Sequence, residues 1–160
     1  MSRAELKKKG FTIIEVVLVL AIAALIFLMV FIALPALQRN QRDQARKTFQ
    51  SKVASAVTSY QSNKRGAQPA SAAALAAYAD GDKDASGNYT GKLDNGNYTL
   101  QVIAQGSGTT ATANSDNTYI TVVTGAKCNS TADNAVAGTT RQAAILMKME
   151  NGDSLTCVDV

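Results

Sequence analysis

The dominant pattern along the chain is one uninterrupted apolar segment. Between Glu15 and Arg39 lie 23 residues without a charge, nearly all of them apolar. As a helix this run would be about 34 Å long, and the hydrocarbon core of a bilayer is about 30 Å thick. A secretory signal peptide has a shorter apolar region, of about 7 to 15 residues. The pattern therefore predicts a helix that crosses a membrane once.

A helical pattern continues beyond this apolar segment. Apolar residues recur there at spacings of three and four, which indicates an amphipathic helix; they are Ala45, Phe49, Val53, Ala56, Val57 and Tyr60. Lys64 and Arg65 precede Gly66, as is typical of a helix end. We predict one helix of about 55 residues from Phe11 to Arg65, provided that Pro35 kinks it without breaking it. Four residues are expected in the core of the following domain: Phe49, Val53, Val57 and Tyr60.

The rest of the chain is polar and turn-rich, with runs that resemble strands. The runs cover residues 98–104, 118–124, 142–149 and 154–160. The last two flank Asn151-Gly152, a strong signal for a hairpin turn, so residues 143–150 and 153–160 should pair antiparallel. We expect an α+β fold in which the long helix packs on a small antiparallel sheet of about four strands.

Composition narrows the possible functions. The chain has 160 residues, a net charge of +4 and no histidine. This composition excludes Ser-His-Asp and Cys-His catalysis, as well as imidazole metal sites, and makes us expect that the protein is not an enzyme. It has two cysteines, Cys128 and Cys157, as expected for one disulfide in an oxidising compartment. Lys and Arg flank both ends of the apolar segment, so the charge bias does not decide its orientation. The cysteines favour a polar domain, or head, outside the cytoplasm over a cytoplasmic head with two reduced cysteines.

Glu15 is a carboxylate at the start of the apolar segment. A charge inside a bilayer costs about 2.5 to 3.5 kcal/mol at a helix centre, so Glu15 is expected either to have a partner or to be hydrated at the membrane surface. The sequence around it resembles the class III signal of type IV prepilins and pseudopilins. The residues that carry this resemblance precede the long apolar helix: Lys7, Lys8, Lys9, Gly10, Phe11, Thr12, Ile13, Ile14 and Glu15.

The resemblance implies a processing and assembly route. A membrane prepilin peptidase would cleave between Gly10 and Phe11, and Phe11 would then be N-methylated. Mature subunits would polymerise at an assembly platform in the inner membrane, and Glu15 would neutralise the N-terminal amine of a neighbouring subunit. The implied division is a leader at residues 1–10, a transmembrane helix at 11–38, an amphipathic continuation at 39–66 and a head at 67–160 with the type IV pilin fold.

Convincing similarity covers about residues 7 to 65, with two departures from the family pattern. A glycine is common midway along the membrane helix, where this chain has Ala24. Pro35 falls roughly one helical turn later than usual. Both features are linked to loosening of the helix in filaments, so the position at which this helix would loosen is left open.

The expected function is that of a structural subunit of a type IV pilus, serving adhesion, motility or DNA uptake. The chain would start as a single-pass protein of the inner membrane and end in an extracellular homo-oligomeric filament. One alternative is a pseudopilin of a type II secretion system, which shares the N-terminal motif. A second alternative is a binding module with a single membrane anchor.

Two charged segments offer further candidate sites. Residues 39–65 hold seven Lys or Arg and one Asp, which permits DNA binding but is more typical of a solvated helix face or of a surface that meets acidic heads. Asp80, Asp82 and Asp84 alternate as in the first half of a calcium loop. Ala85 and Gly91 stand where an EF-hand needs glycine and glutamate, so a flexible acidic loop without a cofactor is favoured over a calcium site.

Overall fold

The protein consists of an apolar N-terminal unit and a folded head. Its computed structural model describes residues 10–105, 116, 118–151 and 154–160. The chain divides into two units, residues 1–38 and 39–160. Residues 1–9 of the predicted leader lie outside the described residues, as does Gly152 of the predicted hairpin turn.

The first element is a single long helix, α1 (Ile13–Asn63), which continues through Pro35. At its C-terminal end the N–H of Gly66 donates to the Gln61 carbonyl at 2.7 Å. Gly66 has a φ of 84°, a left-handed conformation that glycine adopts without strain and that commonly ends helices. The predicted helix is confirmed, with each end two residues shorter than expected.

The head combines one short helix with two sheets. Helix α2 (Ala72–Ala76) is capped by Ser71, whose Oγ accepts from the N–H of Ala74 at 3.3 Å. The strands of the described chain are β1 (Lys92–Leu93), β2 (Tyr98–Ala104), β3 (Tyr119–Thr124), β4 (Ala126–Cys128), β5 (Ala135–Ala137), β6 (Ala143–Lys148) and β7 (Leu155–Asp159). A five-stranded sheet has the order β1-β2-β3-β6-β7, and β4 pairs with β5 in a separate two-stranded sheet.

The hairpin prediction is confirmed by the register of β6 and β7. Ala144 lies opposite Asp159, and Lys148 lies opposite Leu155, in an antiparallel pair. The prediction of an entirely antiparallel sheet is wrong at one position, because β2 and β3 run parallel. Residues 105–118 connect these two strands, and a connection of a dozen or more residues is what a parallel pair requires. The α+β arrangement of a long apolar helix followed by a mainly antiparallel sheet stands, and it matches the pilin fold.

The five-stranded sheet is covered on both faces. One face packs on α1 and α2 through buried side chains that include Val53, Val57, Leu75, Ile120, Ile145 and Met147. The other face holds a smaller buried cluster of Val123, Ala126, Ala135, Ala144 and Leu146, with Cys128 and Cys157 packed against it. The outer sheet of β4 and β5 therefore closes the side of the head opposite the helix.

The buried face of α1 differs from the predicted one in its first turns. Val53 and Val57 are fully buried and Phe49 and Tyr60 half-buried, which confirms their place in or against the core. Ala45, however, is exposed. The buried positions that precede Val53 are instead polar, namely Asp43, Arg46 and Gln50. They continue the same three-and-four spacing, so the helix presents one continuous face whose first half carries polar groups.

Candidate functional site

The predicted cleavage position lies outside the helix. Gly10 and Phe11 precede α1, and both residues are exposed, with Phe11 at 88%. A peptide bond in this position is free of helical hydrogen bonding and accessible to an enzyme. The structure thus leaves the Gly10–Phe11 bond available for the predicted processing.

Glu15 has a partner within its own chain. Its Oε2 accepts from the backbone N–H of Thr12 at 2.8 Å and from the Thr12 hydroxyl at 2.7 Å. The backbone N–H of Glu15 donates to the Oγ of Thr12 at 3.4 Å. This reciprocal pattern is a capping box, which satisfies backbone donors at the start of a helix. The carboxylate is thereby held beside the peptide that joins Phe11 to Thr12.

Sequence reasoning missed the role of Thr12. The signal was present, because Thr12 and Glu15 have the Thr-x-x-Glu spacing of a capping box directly before an apolar run. The expectation that Glu15 needs a partner treated the N-terminal amine as the partner and overlooked the neighbouring hydroxyl. In the structure the carboxylate is already oriented before any amine is formed.

The large side chains of the apolar segment, residues 16–38, are exposed in the isolated chain. Leu25, Phe27, Phe31 and Ile32 are among its large side chains that are more than half exposed. One helix of the described residues, α1, is long and apolar enough to cross a membrane. The segment therefore has an unsatisfied apolar surface on all sides, as a membrane anchor or a polymerisation helix requires.

A second polar site fastens the β6–β7 hairpin to α1. We call it the clamp and define it as Arg42, Asp43, Arg46 and Glu150. The Asp43 carboxylate accepts from the backbone N–H groups of Glu150 and Asn151, each at 2.8 Å. Arg46 bridges the two acids, at 2.7 Å from Asp43 and 3.1 Å from Glu150. Arg42 binds both oxygens of Glu150, at 2.8 and 2.6 Å.

These contacts shift the pKa values of both acids downward. Burial alone would raise the pKa of Asp43, but the backbone donors of Glu150 and Asn151, together with Arg46, outweigh it and lower that pKa. The hydrogen bond from Arg42 is the main reason that the pKa of Glu150 is lowered, and Arg46 adds to the effect. Both carboxylates are therefore held in their charged forms.

The clamp changes the interpretation of the basic stretch 39–65. Arg42 and Arg46 pair with acids of their own chain, and Lys52 lies 3.4 Å from Asp80. The expected complement to acidic groups is thus partly intramolecular. The sequence offered no direct signal for this, because Glu150 lies more than 100 residues from the arginines.

The two cysteines form the predicted disulfide. Cys128 at the end of β4 is joined to Cys157 in β7, with their Cα atoms 5.7 Å apart. The Cys128 N–H donates to the carboxylate of Asp159 at 2.5 Å, and the Cys157 N–H donates to the Ala132 carbonyl at 2.8 Å. The bridge ties the outer sheet to the edge strand of the main sheet.

The three aspartates of the candidate calcium site each bind different partners in the structure. Asp80 pairs with Lys52, the Asp82 carboxylate accepts from the N–H groups of Asn95 and Gly96, and the Asp84 carboxylate accepts from two N–H groups of its own loop. Among the described residues no three His, Cys, Asp or Glu side chains are grouped so that they could hold a metal ion. The expectation of an acidic loop without a cofactor, with calcium as the weaker candidate, stays an untested prediction.

Comparison with known proteins identifies a motif in the N-terminal region. Residues 6–31 match the family model described as the prokaryotic N-terminal methylation motif. No curated protein and no solved structure shows significant similarity to the chain. The match contains Gly10 and Phe11, which precede α1, and Thr12 and Glu15, which form the capping box at its start. Residues 6–31 therefore carry the N-terminal methylation motif, which is the class III signal of type IV prepilins and pseudopilins.

Proposed function

We propose that the protein is a structural subunit of a type IV pilus. The observation that carries this proposal is the methylation motif at residues 6–31, joined to a helix whose apolar surface is exposed in the isolated chain. Cleavage between Gly10 and Phe11, followed by N-methylation of Phe11, would produce the mature subunit. A prepilin peptidase and an assembly platform in the inner membrane are the partners that this route requires.

Cleavage would create a positive charge close to a carboxylate that is already oriented. The Oε2 of Glu15 lies 2.8 Å from the backbone nitrogen of Thr12, the residue next to the new N-terminus. An amine on Phe11 of the same chain would therefore lie close to the carboxylate, and in the filament the amine of a neighbouring subunit would take this place. In a low-dielectric surrounding such a pair is stabilising, whereas an isolated charge is costly.

The same apolar segment would serve two environments in turn. Before assembly its exposed side chains contact lipid, and in the filament they contact the helices of other subunits. The disulfide between Cys128 and Cys157 supports a head that lies outside the cytoplasm, since such bonds persist in oxidising compartments. The finished filament would then be extracellular and could serve adhesion, motility or DNA uptake.

A pseudopilin of a type II secretion system is the second candidate. The observation in its favour is that the motif at residues 6–31 is common to prepilins and pseudopilins. The two candidates share cleavage, methylation and polymerisation and differ in the machinery that the filament serves. Long surface filaments in cells at native expression favour the pilus, and loss of protein secretion in a deletion strain favours the pseudopilus.

Substitution of Glu15 tests the proposed assembly step. We expect Glu15→Ala to be processed and then to accumulate in the membrane as monomer, with surface filaments lost. Glu15→Gln is the matched variant, because an amide still accepts from Thr12 but carries no charge. Normal filament yield from Glu15→Gln, measured by immunoblotting of sheared filaments, would contradict the charge pairing. Wild-type chain that retains Met1 and forms no filament would contradict the proposed function as a whole.

A further inference from the structure

Three cations meet where α1 ends. We call Lys64, Arg65 and Arg141 the basic tip; all three are exposed. The Nε of Arg141 lies 3.6 Å from the position that a Cβ would occupy on Gly66, directly after Lys64 and Arg65. Neither 60–79 nor 134–149 contains an acidic residue. On the neighbouring strand Asp159 lies opposite Ala144, and its carboxylate accepts from the N–H of Cys128.

The local structure explains only part of this cluster. Cations near the C-terminal end of a helix are favourable, because that end of the helix dipole is negative. Three cations nearer the start of the head have acidic partners, since Arg42 and Arg46 bind Glu150 and Lys52 lies beside Asp80. Within the described part of the chain, no ion pair involves Lys64, Arg65 or Arg141. Three exposed like charges on neighbouring residues, none of them in an ion pair with another described residue, create a positive potential that favours an anionic partner.

The complementary charge lies on a separate loop of the head. We call residues 80–97 the acidic loop; it holds four aspartates and two lysines. The carboxylate-bearing side chain of Asp80 is 90% exposed, and Asp94 lies on the exposed turn between β1 and β2. Asp82 ties the two parts of the loop together through its hydrogen bonds to Asn95 and Gly96.

The two charged surfaces are displaced along α1. Tyr98, the first residue after the turn that carries Asp94, packs on Phe49 with ring centroids 4.6 Å apart. Lys64 follows Phe49 by 15 residues, which corresponds to about 22 Å of helix. The turn that carries Asp94 therefore lies beside the middle of the head helix, and the basic tip lies at the end of that helix.

We propose that the basic tip of one subunit docks on the acidic loop of a second copy of this chain. The inference rests on the proposed function, because it describes a contact between polymerising subunits. Two different surfaces displaced along the same axis make a head-to-tail contact, which repeats without closing and generates a helical filament. Exposed ion pairs contribute little energy individually, so this contact sets the register of neighbouring heads while the apolar helices hold the subunits together.

Charge reversal in the full-length chain tests the contact. The first variant carries Lys64→Glu, Arg65→Glu and Arg141→Glu, which places like charges against the acidic loop. The second variant adds Asp80→Lys and Asp94→Lys to restore opposite charges, together with Lys52→Glu, which keeps opposite charges at positions 52 and 80. A matched pair of single reversals serves as the control. Arg141→Glu changes the basic tip, whereas Lys127→Glu changes an exposed residue of β4 outside the tip. Each variant is expressed in cells that assemble the wild-type chain.

Sheared filaments are measured against total protein, together with the N-terminus at Phe11 and the thermal unfolding of the head. We expect about a tenfold loss of filaments in the first variant and recovery in the second. Processing should be normal in both, and Lys127→Glu should assemble like wild type. The unfolding measurement is needed because Asp80 and Asp94 have positive φ angles, which strain a lysine.

Every outcome bears on the docking contact. Equal filament yields in wild type and the first variant would overturn it while leaving the subunit function intact. A loss that the second variant does not recover, with the head folded, would overturn the pairing with the acidic loop. If the first variant forms normal filaments that no longer bind duplex DNA, the basic tip binds nucleic acid and not a second subunit. Absence of wild-type filaments would overturn the proposed function and, with it, this contact.

Discussion

The two halves of α1 belong to one helix but are stabilised in different ways. Residues 16–38 expose apolar side chains throughout and need lipid or another subunit to cover them. Residues 39–63 present a narrow face to their own sheet, and that face begins with polar groups before it becomes apolar at Val53. The comparison shows that a helical pattern alone does not reveal what a helix packs against. The first half can be identified from the length of its uncharged run. What the second half packs against depends on residues that are distant in sequence.

Removal of the disulfide should affect the head strongly and the apolar half of α1 hardly at all. We expect Cys128→Ser with Cys157→Ser to lower the free energy of unfolding of the head by about 3 to 4 kcal/mol, because a loop of about 30 residues is no longer closed in the unfolded chain. The measurement is chemical unfolding of the detergent-solubilised full-length chain. Unchanged stability, or loss of membrane insertion, would contradict the independence of the two regions.

A lysine introduced into either half of α1 should have a large effect in the apolar half and a small effect in the head. Leu28→Lys places a charge inside the apolar segment and should oppose membrane insertion by about 2.5 to 3.5 kcal/mol. Thr58→Lys lies on the exposed side of the head helix and should change stability by less than about 0.5 kcal/mol. Membrane fractionation and thermal unfolding measure the two effects. Equal insertion of Leu28→Lys and wild type would contradict a membrane-spanning role for this segment.

Breaking the clamp should loosen the hairpin from α1. Asp43→Asn removes the charge that binds Arg46 and weakens the acceptors for the N–H groups of Glu150 and Asn151. We expect a loss of about 2 kcal/mol in the free energy of unfolding, since the partners of a buried charge are left less satisfied. Asp94→Asn, an exposed aspartate on the β1–β2 turn, is the control and should be nearly neutral. Equal stabilities of the two variants would show that the clamp does not stabilise the head.

The clamp also predicts an acid limit for the head. The pKa values of Asp43 and Glu150 are lowered from 3.8 and 4.5 in the folded state. Their contribution is therefore complete above the unfolded pKa values and is lost as the pH falls through the lower folded values. We expect a flat stability profile from about pH 7 to pH 5 and a decline below about pH 4. The decline should be shallower in Asp43→Asn, and identical profiles would contradict this assignment.

Loss of the Thr12 hydroxyl should have the smallest effect. Thr12→Val removes the side-chain partner of Glu15 while keeping the backbone N–H, and capping residues contribute about 1 kcal/mol. We expect normal processing and a filament yield that is reduced rather than lost, whereas Thr12→Ser should behave as wild type. A defect as severe as that of Glu15→Ala would show that Thr12 does more than orient the carboxylate.

The sequence predicted the elements of this fold more reliably than the contacts between them. The uncharged run, the ends of β2 and the Asn151-Gly152 hairpin are local signals, and they led to correct elements. The parallel pairing of β2 and β3 depends on the path of a connecting segment, which local patterns do not specify.

The candidate sites also differ in whether a local sequence signal reveals them. Glu15 was identified because a charge inside an apolar run is conspicuous, and the capping spacing of Thr12 was equally readable. The clamp was hidden because Asp43 and Arg46 have the composition of a solvated face. Their burial depends on Glu150, whose position follows only from the completed sheet.

Mass spectrometry of the N-terminal peptide tests the central claim most directly. The protein is recovered from sheared surface filaments and, separately, from the membrane, and the first residue is read from each fraction. The proposed function predicts that the chain in filaments begins at Phe11 and carries an N-methyl group. An intact Met1 on protein at the cell surface would contradict processing at the motif and the assembly that depends on it.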